Sequence, residues 1–327
     1  MTGQDAMRAA GEHTRKADAV KGEAHWSNGK PGNSAITVCV PCYRDDVSAL
    51  VANLSQAEGA ARAAVLIYDD GSADPQLTAR LKTFLEAYPG PARLVTASDN
   101  QGRAHARNRL HDVCESDWIL FLDADMKPDD ARFLARYLAA VEECEGPALI
   151  AGGFSLQHAE VSAQTRLHAA QSLASECLDA VARRKEPGRY VFTSNILVHR
   201  RVLSEVPFDD GFKGWGWEDV DWGLNVAKAY PVHHIDNTAT HLGLDETDTL
   251  LRKFGSSAQN FARLARRHPD AVQSMPLYQI AHKFRNLPAR TLFMGLARFG
   301  ARSATLPDGL RLACLKTYRA LAYSREI

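Results

Sequence analysis

Long apolar runs are missing from this chain. No window is long and uncharged enough to span a bilayer, and the first residues carry no apolar leader core. Net charge is missing too: 39 Lys and Arg offset 39 Asp and Glu, so no global field points to nucleic acid. Cysteine is scarce, six in 327 residues. Only Cys39 and Cys42 enclose two residues, which are Val40-Pro41 at a strand end, and no second pair or nearby His completes a zinc site. Several cysteines sit in apolar patterns and read as reduced core thiols, which suits a cytoplasmic protein. Internal repeats are absent as well.

What the chain does have is length for a large core and a lopsided charge. Residues 251–327 hold 14 Lys/Arg against 3 Asp/Glu, a balance of +11, which leaves −11 on residues 1–250. Residues 1–34 are polar, almost without periodic apolar positions, and predict a mobile, disordered tail. Beyond them short apolar runs alternate with helical spacing. Ile36–Val40, Ala64–Tyr68, Arg93–Ala97, Trp118–Leu122 and Ala148–Phe154 read as strands, and sets such as Leu77, Leu81, Phe84, Leu85 and Tyr88 mark the helices between them. The alternation predicts an α/β fold, a mostly parallel sheet flanked by helices. Leu156–Arg184 reads as a mixed, helical insertion, and Val191–Val198 and Val232–Asp236 as later strands. A domain over 35–245 is then followed by a helical, basic C-terminal extension over 246–327.

The chemistry collects at strand ends. Trp118–Leu122 is apolar without a break and stops abruptly at Asp123-Ala124-Asp125. Such a run is a strand buried on both faces, and ligand sites in open α/β sheets lie at the carboxyl ends of such strands. Extended alternation points Asp123 and Asp125 the same way. Neighbouring carboxylates repel, and Mg²⁺ or Mn²⁺ relieves the repulsion while sharing its coordination with phosphates; the plainer alternative is a loop that caps the next helix. Asp69-Asp70-Gly71-Ser72 ends another strand, either as a turn with a cap or with Asp70 accepting a hydrogen bond from a nucleobase N–H. Arg103 and Arg107 share one helical face after a Gly turn, a place that favours phosphate oxygens, or else form a solvated basic face. Glu218-Asp219 follows Gly214-Trp215-Gly216-Trp217. A carboxylate there suits removal of a hydroxyl proton, the indoles suit sugar rings and the glycines a mobile loop. The alternative is an acidic first helical turn over buried indoles, a reading that also fits Asp221.

Along the chain stand, in order, VPCYR, YDDGS, NQGRAHARN, FLDAD and WGWED. This series resembles the GT-A-fold glycosyltransferases of family 2 over roughly residues 35–245. The last motif and the later His241 are most similar to the branch shared by bacterial chondroitin-type polymerases and animal β-1,4-galactosyltransferases. The resemblance implies a GT-A, Rossmann-like sheet. It implies inverting transfer of a sugar from a nucleotide-sugar, UDP-linked first of all, to a saccharide or lipid-linked saccharide in polysaccharide or glycoconjugate biosynthesis. Pro41, Tyr43 and Asp70 would build the base pocket, with Arg103 and Arg107 on the donor side and Trp215 against the sugar. Asp123 would face the ribose and the metal, Asp125 would bind the metal, and His241 would be a third ligand, imidazole suiting Mn²⁺ better than Mg²⁺. Asp219 matches the family base, and Glu218 would hold acceptor hydroxyls. His233 and His234, on the preceding strand, match no motif.

Two rivals use the same features. A haloacid-dehalogenase-type phosphatase also places Asp-x-Asp after an apolar strand, but on its first strand and with Thr or Val where this chain has Lys127. A catalytically silent carbohydrate- or nucleotide-sugar-binding protein on the same fold would have no use for all five motifs. Residues 275–327 interleave Leu, Ile and Phe with Lys and Arg, broken by Pro288, Pro307 and Gly309. Either these helices pack on the domain whose −11 balance they complement, or they make a peripheral contact at the inner face of the membrane.

Overall fold

The apolar runs Ile36–Cys42, Ala63–Asp69 and Trp118–Leu122 become neighbouring strands, buried along nearly their whole length. The computed structural model describes residues 21–32, 34–209 and 211–327. Its strands are β1 Glu23–Ser27, β2 Ile36–Cys42, β3 Ala63–Asp69, β4 Ala92–Ala97, β5 Trp118–Leu122, β6 Met126–Pro128, β7 Leu149–Ala151, β8 Phe154–Ser155, β9 Asn195–His199, β10 Val232–His234 and β11 Ala239–His241. Eight form one sheet in the order β1-β4-β3-β2-β5-β9-β7-β10, and β6-β11-β8 form a second. In the large sheet the pairings β4/β3, β3/β2, β2/β5 and β7/β10 are parallel, and β1/β4, β5/β9 and β9/β7 antiparallel.

Alternation along each strand feeds two cores. Val38, Val65 and Leu120 face one, closed by Leu50 and Leu54, Leu81 and Leu85, and Phe133 and Tyr137. Cys39, Leu66 and Phe121 face the other, closed by Leu110, Trp222 and Val226. Covering both faces is what lets the strands be apolar without a break. From β2 the chain runs outward through β3 to β4, then returns to β5 on the other side of β2. That reversal is a topological switch point, and it opens a crevice beyond the carboxyl ends of β2 and β5.

Two expectations need correction. Residues 23–27, read as tail, form β1 against β4; residues 1–20 lie outside the described residues. Only Trp26 of β1 packs on the core. The strand is held by its ladder and by Glu23, which accepts from Arg109 at 2.9 and 3.0 Å, partners that no local pattern encodes. The run read as a single strand over 148–154 breaks into β7 and β8 at Gly152-Gly153. Gly153 has φ +92°, and a Cβ on Gly152 would lie 2.3 Å from the Tyr137 hydroxyl, so the bend and the close approach both need glycine. The C-terminal helices pack on the domain, as one of the two readings of them had it. Phe261 and Tyr323 pack with Trp217, and Leu251 and Phe254 with Leu167 and Trp215. Asp221, buried in the helix Glu218–Ala229, pairs with Arg267 at 2.6 Å and His268 at 3.0 Å. Among the described residues no helix is long and apolar enough to cross a membrane.

Candidate active site

The crevice at the switch point has a volume of about 880 Å³, and all eleven residues singled out from the sequence line it. The ends of β2 and β3 bring Pro41, Tyr43 and Asp70. Asp70 is buried, and its carboxylate accepts from Gly102 N–H at 2.7 Å, Gln101 N–H at 3.1 Å and Asn100 Nδ2 at 2.9 Å. It therefore ties the turn that launches the helix Arg103–Val113, and it also borders the crevice. Its neighbour Asp69 takes the turn role, accepting from Ser72 N–H at 3.0 Å. Gly71, with φ +80°, lets the two loops touch: a Cβ there would sit 2.4 Å from the Asp99 carbonyl carbon. Tyr43 is half-exposed under the Arg44 guanidinium, 4.9 Å from its ring centre.

Asp123 and Asp125 part company. The extended chain ends at Leu122, and Met126 N–H bonds to the Asp123 carbonyl at 3.1 Å, closing a turn where alternation had been expected. Asp123 then accepts from Arg107 Nη2 at 2.7 Å, while Asp125 lies 3.1 Å from His241 Nε2. The second sheet makes that last contact. Antiparallel pairing sets His241 opposite Met126, beside Asp125, and a Cβ on Gly243 would meet the Asp125 carboxylate at 2.3 Å. Burial works against a charged His241, but the hydrogen bond and charge of Asp125 outweigh it and raise its pKa. Among the described residues no cluster of three His, Cys, Asp or Glu groups is arranged to hold a metal. Two of the three expected ligands are together, and Asp123 is engaged by Arg107. Arg107 itself is buried, with its Nε unpartnered among the described residues. Burial opposes its charge, and Asp123, Asp219 and Glu218 outweigh burial. Arg103, one turn earlier, is exposed at the rim.

The same crevice is lined by Glu218 and Asp219, in the first turn of the helix Glu218–Ala229, and their charges act on Arg107. Asp219 is oriented by Thr193, which donates from its backbone N–H at 3.1 Å and its hydroxyl at 2.9 Å. Burial pushes the Asp219 carboxyl up, against the pull of Arg107. Glu218 is pushed up to about 7 by burial first and by the Asp219 charge second, and its Oε2 has no hydrogen-bond partner among the described residues. The preceding loop is pinned. Asn260 Nδ2 donates to the Lys213 and Gly216 carbonyls, both at 3.0 Å, and Trp217 takes a left-handed φ of 75° with its Nε1–H on the Tyr323 hydroxyl at 2.9 Å. Trp215 leans on Phe254, ring centres 5.7 Å apart.

Sequence reasoning missed Thr193, Asp45, the His168–Asp245–Lys253 network, and the wall supplied by Met275, Leu277, Lys316 and Arg319. Lys253 donates to both oxygens of Asp245, at 2.9 and 2.7 Å, and Asp245 N–H donates to His168 Nδ1 at 2.7 Å. Burial drives His168 down to about 4, which keeps that nitrogen free to accept. Asp45 follows the Pro-x-Tyr motif and had a local signal; the others have none, because they reach the crevice from distant segments.

The profile described as "Glycosyl transferase family 2" matches residues 37–206, more than half of the chain. The chain belongs to this family. A mannosyltransferase from Pyrobaculum calidifontis, solved with GDP-Man and Mn²⁺, superposes with a TM-score of 0.57 at 15% identity, over 90% of either chain. That likeness shows the GT-A fold of the family 2 transferase. Lower scores relate it to the glucosyl-3-phosphoglycerate synthase of Mycobacterium tuberculosis (0.49, 16% identity, 72% of this chain and 80% of that one). S. aureus TarS 1–349 with UDP-GlcNAc is similar at 0.47 and 14% identity, over 88% and 90%. No curated protein matches the chain.

Proposed function

We propose that this glycosyltransferase is an inverting, metal-dependent enzyme that moves a sugar from a nucleotide-sugar, UDP-linked first of all, to a saccharide or lipid-linked saccharide in polysaccharide or glycoconjugate biosynthesis. The observation that carries the reading is that the pair Glu218/Asp219 lines one crevice with the Asp123–Arg107 and Asp125–His241 pairs. Asp219, oriented by Thr193, takes the proton of the acceptor hydroxyl. Glu218, with one oxygen unpartnered, receives a neighbouring hydroxyl. With the base opposite the leaving nucleotide, attack is in line and inverts the anomeric carbon. Pro41, Tyr43 and Asp70 hold the base of the donor, Trp215 the sugar, and Arg103 at the rim its phosphates. Arg107 holds Asp123 in place and balances the carboxylates.

The donor set of Asp125 and His241 fits a divalent ion of the Mn²⁺ kind, and Asp123 would be the further carboxylate. Such an ion supplies positive charge to the leaving diphosphate.

The test is a panel of UDP- and GDP-sugars with Mn²⁺, read as nucleotide release and as the anomeric configuration of the product. GDP-sugars belong in the panel because the P. calidifontis enzyme was solved with GDP-Man. Asp219→Asn is expected to retain donor binding and lose turnover by about a thousandfold. Asp125→Ala is expected to lose the metal-dependent rate while the protein stays folded. Donor binding without turnover across the panel would sink the transferase reading in favour of a silent binder, and Mg²⁺-dependent release of inorganic phosphate from a phosphate monoester, with no donor turnover, would sink it in favour of a phosphatase.

A further inference from the structure

The helix Arg290–Arg302 is packed the wrong way round for a surface that faces only water. It meets the helix Asp308–Tyr323 through its small residues: Ala297, Gly300 and Ala301 are buried, and a Cβ on Gly300 would lie 2.5 Å from Cys314 Sγ. Its large apolar side chains face outward, with Leu292 62%, Phe293 45%, Leu296 57% and Phe299 74% exposed. Leu292, Leu296 and Phe299 fall at i, i+4 and i+7, one stripe of the helix. A clustered set of exposed large apolar side chains marks an interaction surface. The surrounding chain says what kind. Residues 271–307 contain no Asp or Glu, and their charge is purely basic, from Lys283, Arg285, Arg290, Arg298 and Arg302.

A stripe of Leu and Phe in an acid-free segment, with Arg302 paired to Asp248, matches the chemistry of an anionic bilayer surface, which takes the apolar side chains below its headgroups and the cations among them. A second copy of this chain would bring the same acid-free segment to the contact, and like charges would oppose it. The neighbouring helix Pro276–Lys283 packs on the same support, Asp308–Tyr323, and its Leu277 and Ile280 line the crevice.

We propose that the outer face of the helix Arg290–Arg302 docks on an anionic lipid bilayer and so presents the crevice to lipid-linked acceptors; the docking stands by itself, and only the acceptor rests on the transferase reading. The test is co-sedimentation of the full chain with vesicles of phosphatidylcholine alone and of phosphatidylcholine mixed with phosphatidylglycerol, at low and high salt. Binding is expected on the mixed vesicles at low salt and to weaken at high salt. Leu296→Glu/Phe299→Glu is expected to weaken it about tenfold or more, and Arg285→Gln/Arg298→Gln about fivefold for each charge. Neither pair touches the crevice, so donor hydrolysis without vesicles should be unchanged in both. The proposal is overturned if the wild-type chain stays in the supernatant, if both double variants bind like wild type, or if ultracentrifugation shows a dimer that Leu296→Glu/Phe299→Glu dissociates. Vesicle binding with this pattern but no donor turnover in any variant would support the docking and remove the transferase reading.

Discussion

Glu218 is the residue on which environment acts most visibly. Its carboxyl titrates near 7 in the folded chain against an ordinary 4.5, because burial and Asp219 both penalise its charge. A carboxyl raised by folding destabilises the protein where it must ionise. The penalty is absent below the unfolded value, grows as pH rises from 4.5 to about 7, and is complete above that. Glu218→Gln is therefore expected to raise stability on the order of 2 kcal/mol at about pH 8 and to change little at about pH 4, checked by thermal denaturation at both. Thr193 acts through Asp219. Thr193→Val removes the hydroxyl donor but keeps the shape, and is expected to lower kcat about tenfold with the donor KM unchanged. The motif around Asp219 was readable in the sequence. Thr193 was not, because nothing in its own neighbourhood marks it as the partner of a residue 26 positions later.

At the scale of the element, the loop before the helix Glu218–Ala229 depends on the last helix of the chain. Trp217 sits in the left-handed region, which costs a non-glycine residue about 1 kcal/mol or more. Tyr323 holds it there. The Tyr323 oxygen accepts from Trp217 Nε1 at 2.9 Å and Arg319 Nε at 3.1 Å, so its own proton goes to Ser257 Oγ. Tyr323→Phe strands two donors. It is expected to cost about 1–3 kcal/mol by chemical denaturation and to lower kcat by letting Glu218-Asp219 drift, with donor binding retained. Strand and helix identities were largely legible, since β2, β3 and β5 are almost unbroken apolar runs. The turn at Asp123–Asp125 and the bend at Gly152-Gly153 were not, because tertiary contacts override the local pattern at both.

For the whole molecule, the opposite charges of the two segments of chain are partly joined in pairs such as Arg267 with Asp221 and Arg263 with Asp209. The extension also closes two of the four cores and one wall of the crevice. A chain ending at residue 274 loses Tyr323 and Leu315 from those cores. It is expected to lose cooperative unfolding rather than yield a stable catalytic domain, checked by calorimetry of the truncated and full chains.

By itself the sequence determined the buried strands β2, β3 and β5, the acids near strand ends and the order of the five motifs, because periodicity and strand-end chemistry are local properties. Only the tertiary structure decided which partners those acids take. Asp123 went to Arg107, Asp125 to His241, Asp219 to Thr193 and Asp221 to Arg267. Each pairing spans at least 16 residues of chain, and packing of both sheet faces, not spacing along the sequence, sets which side chains meet.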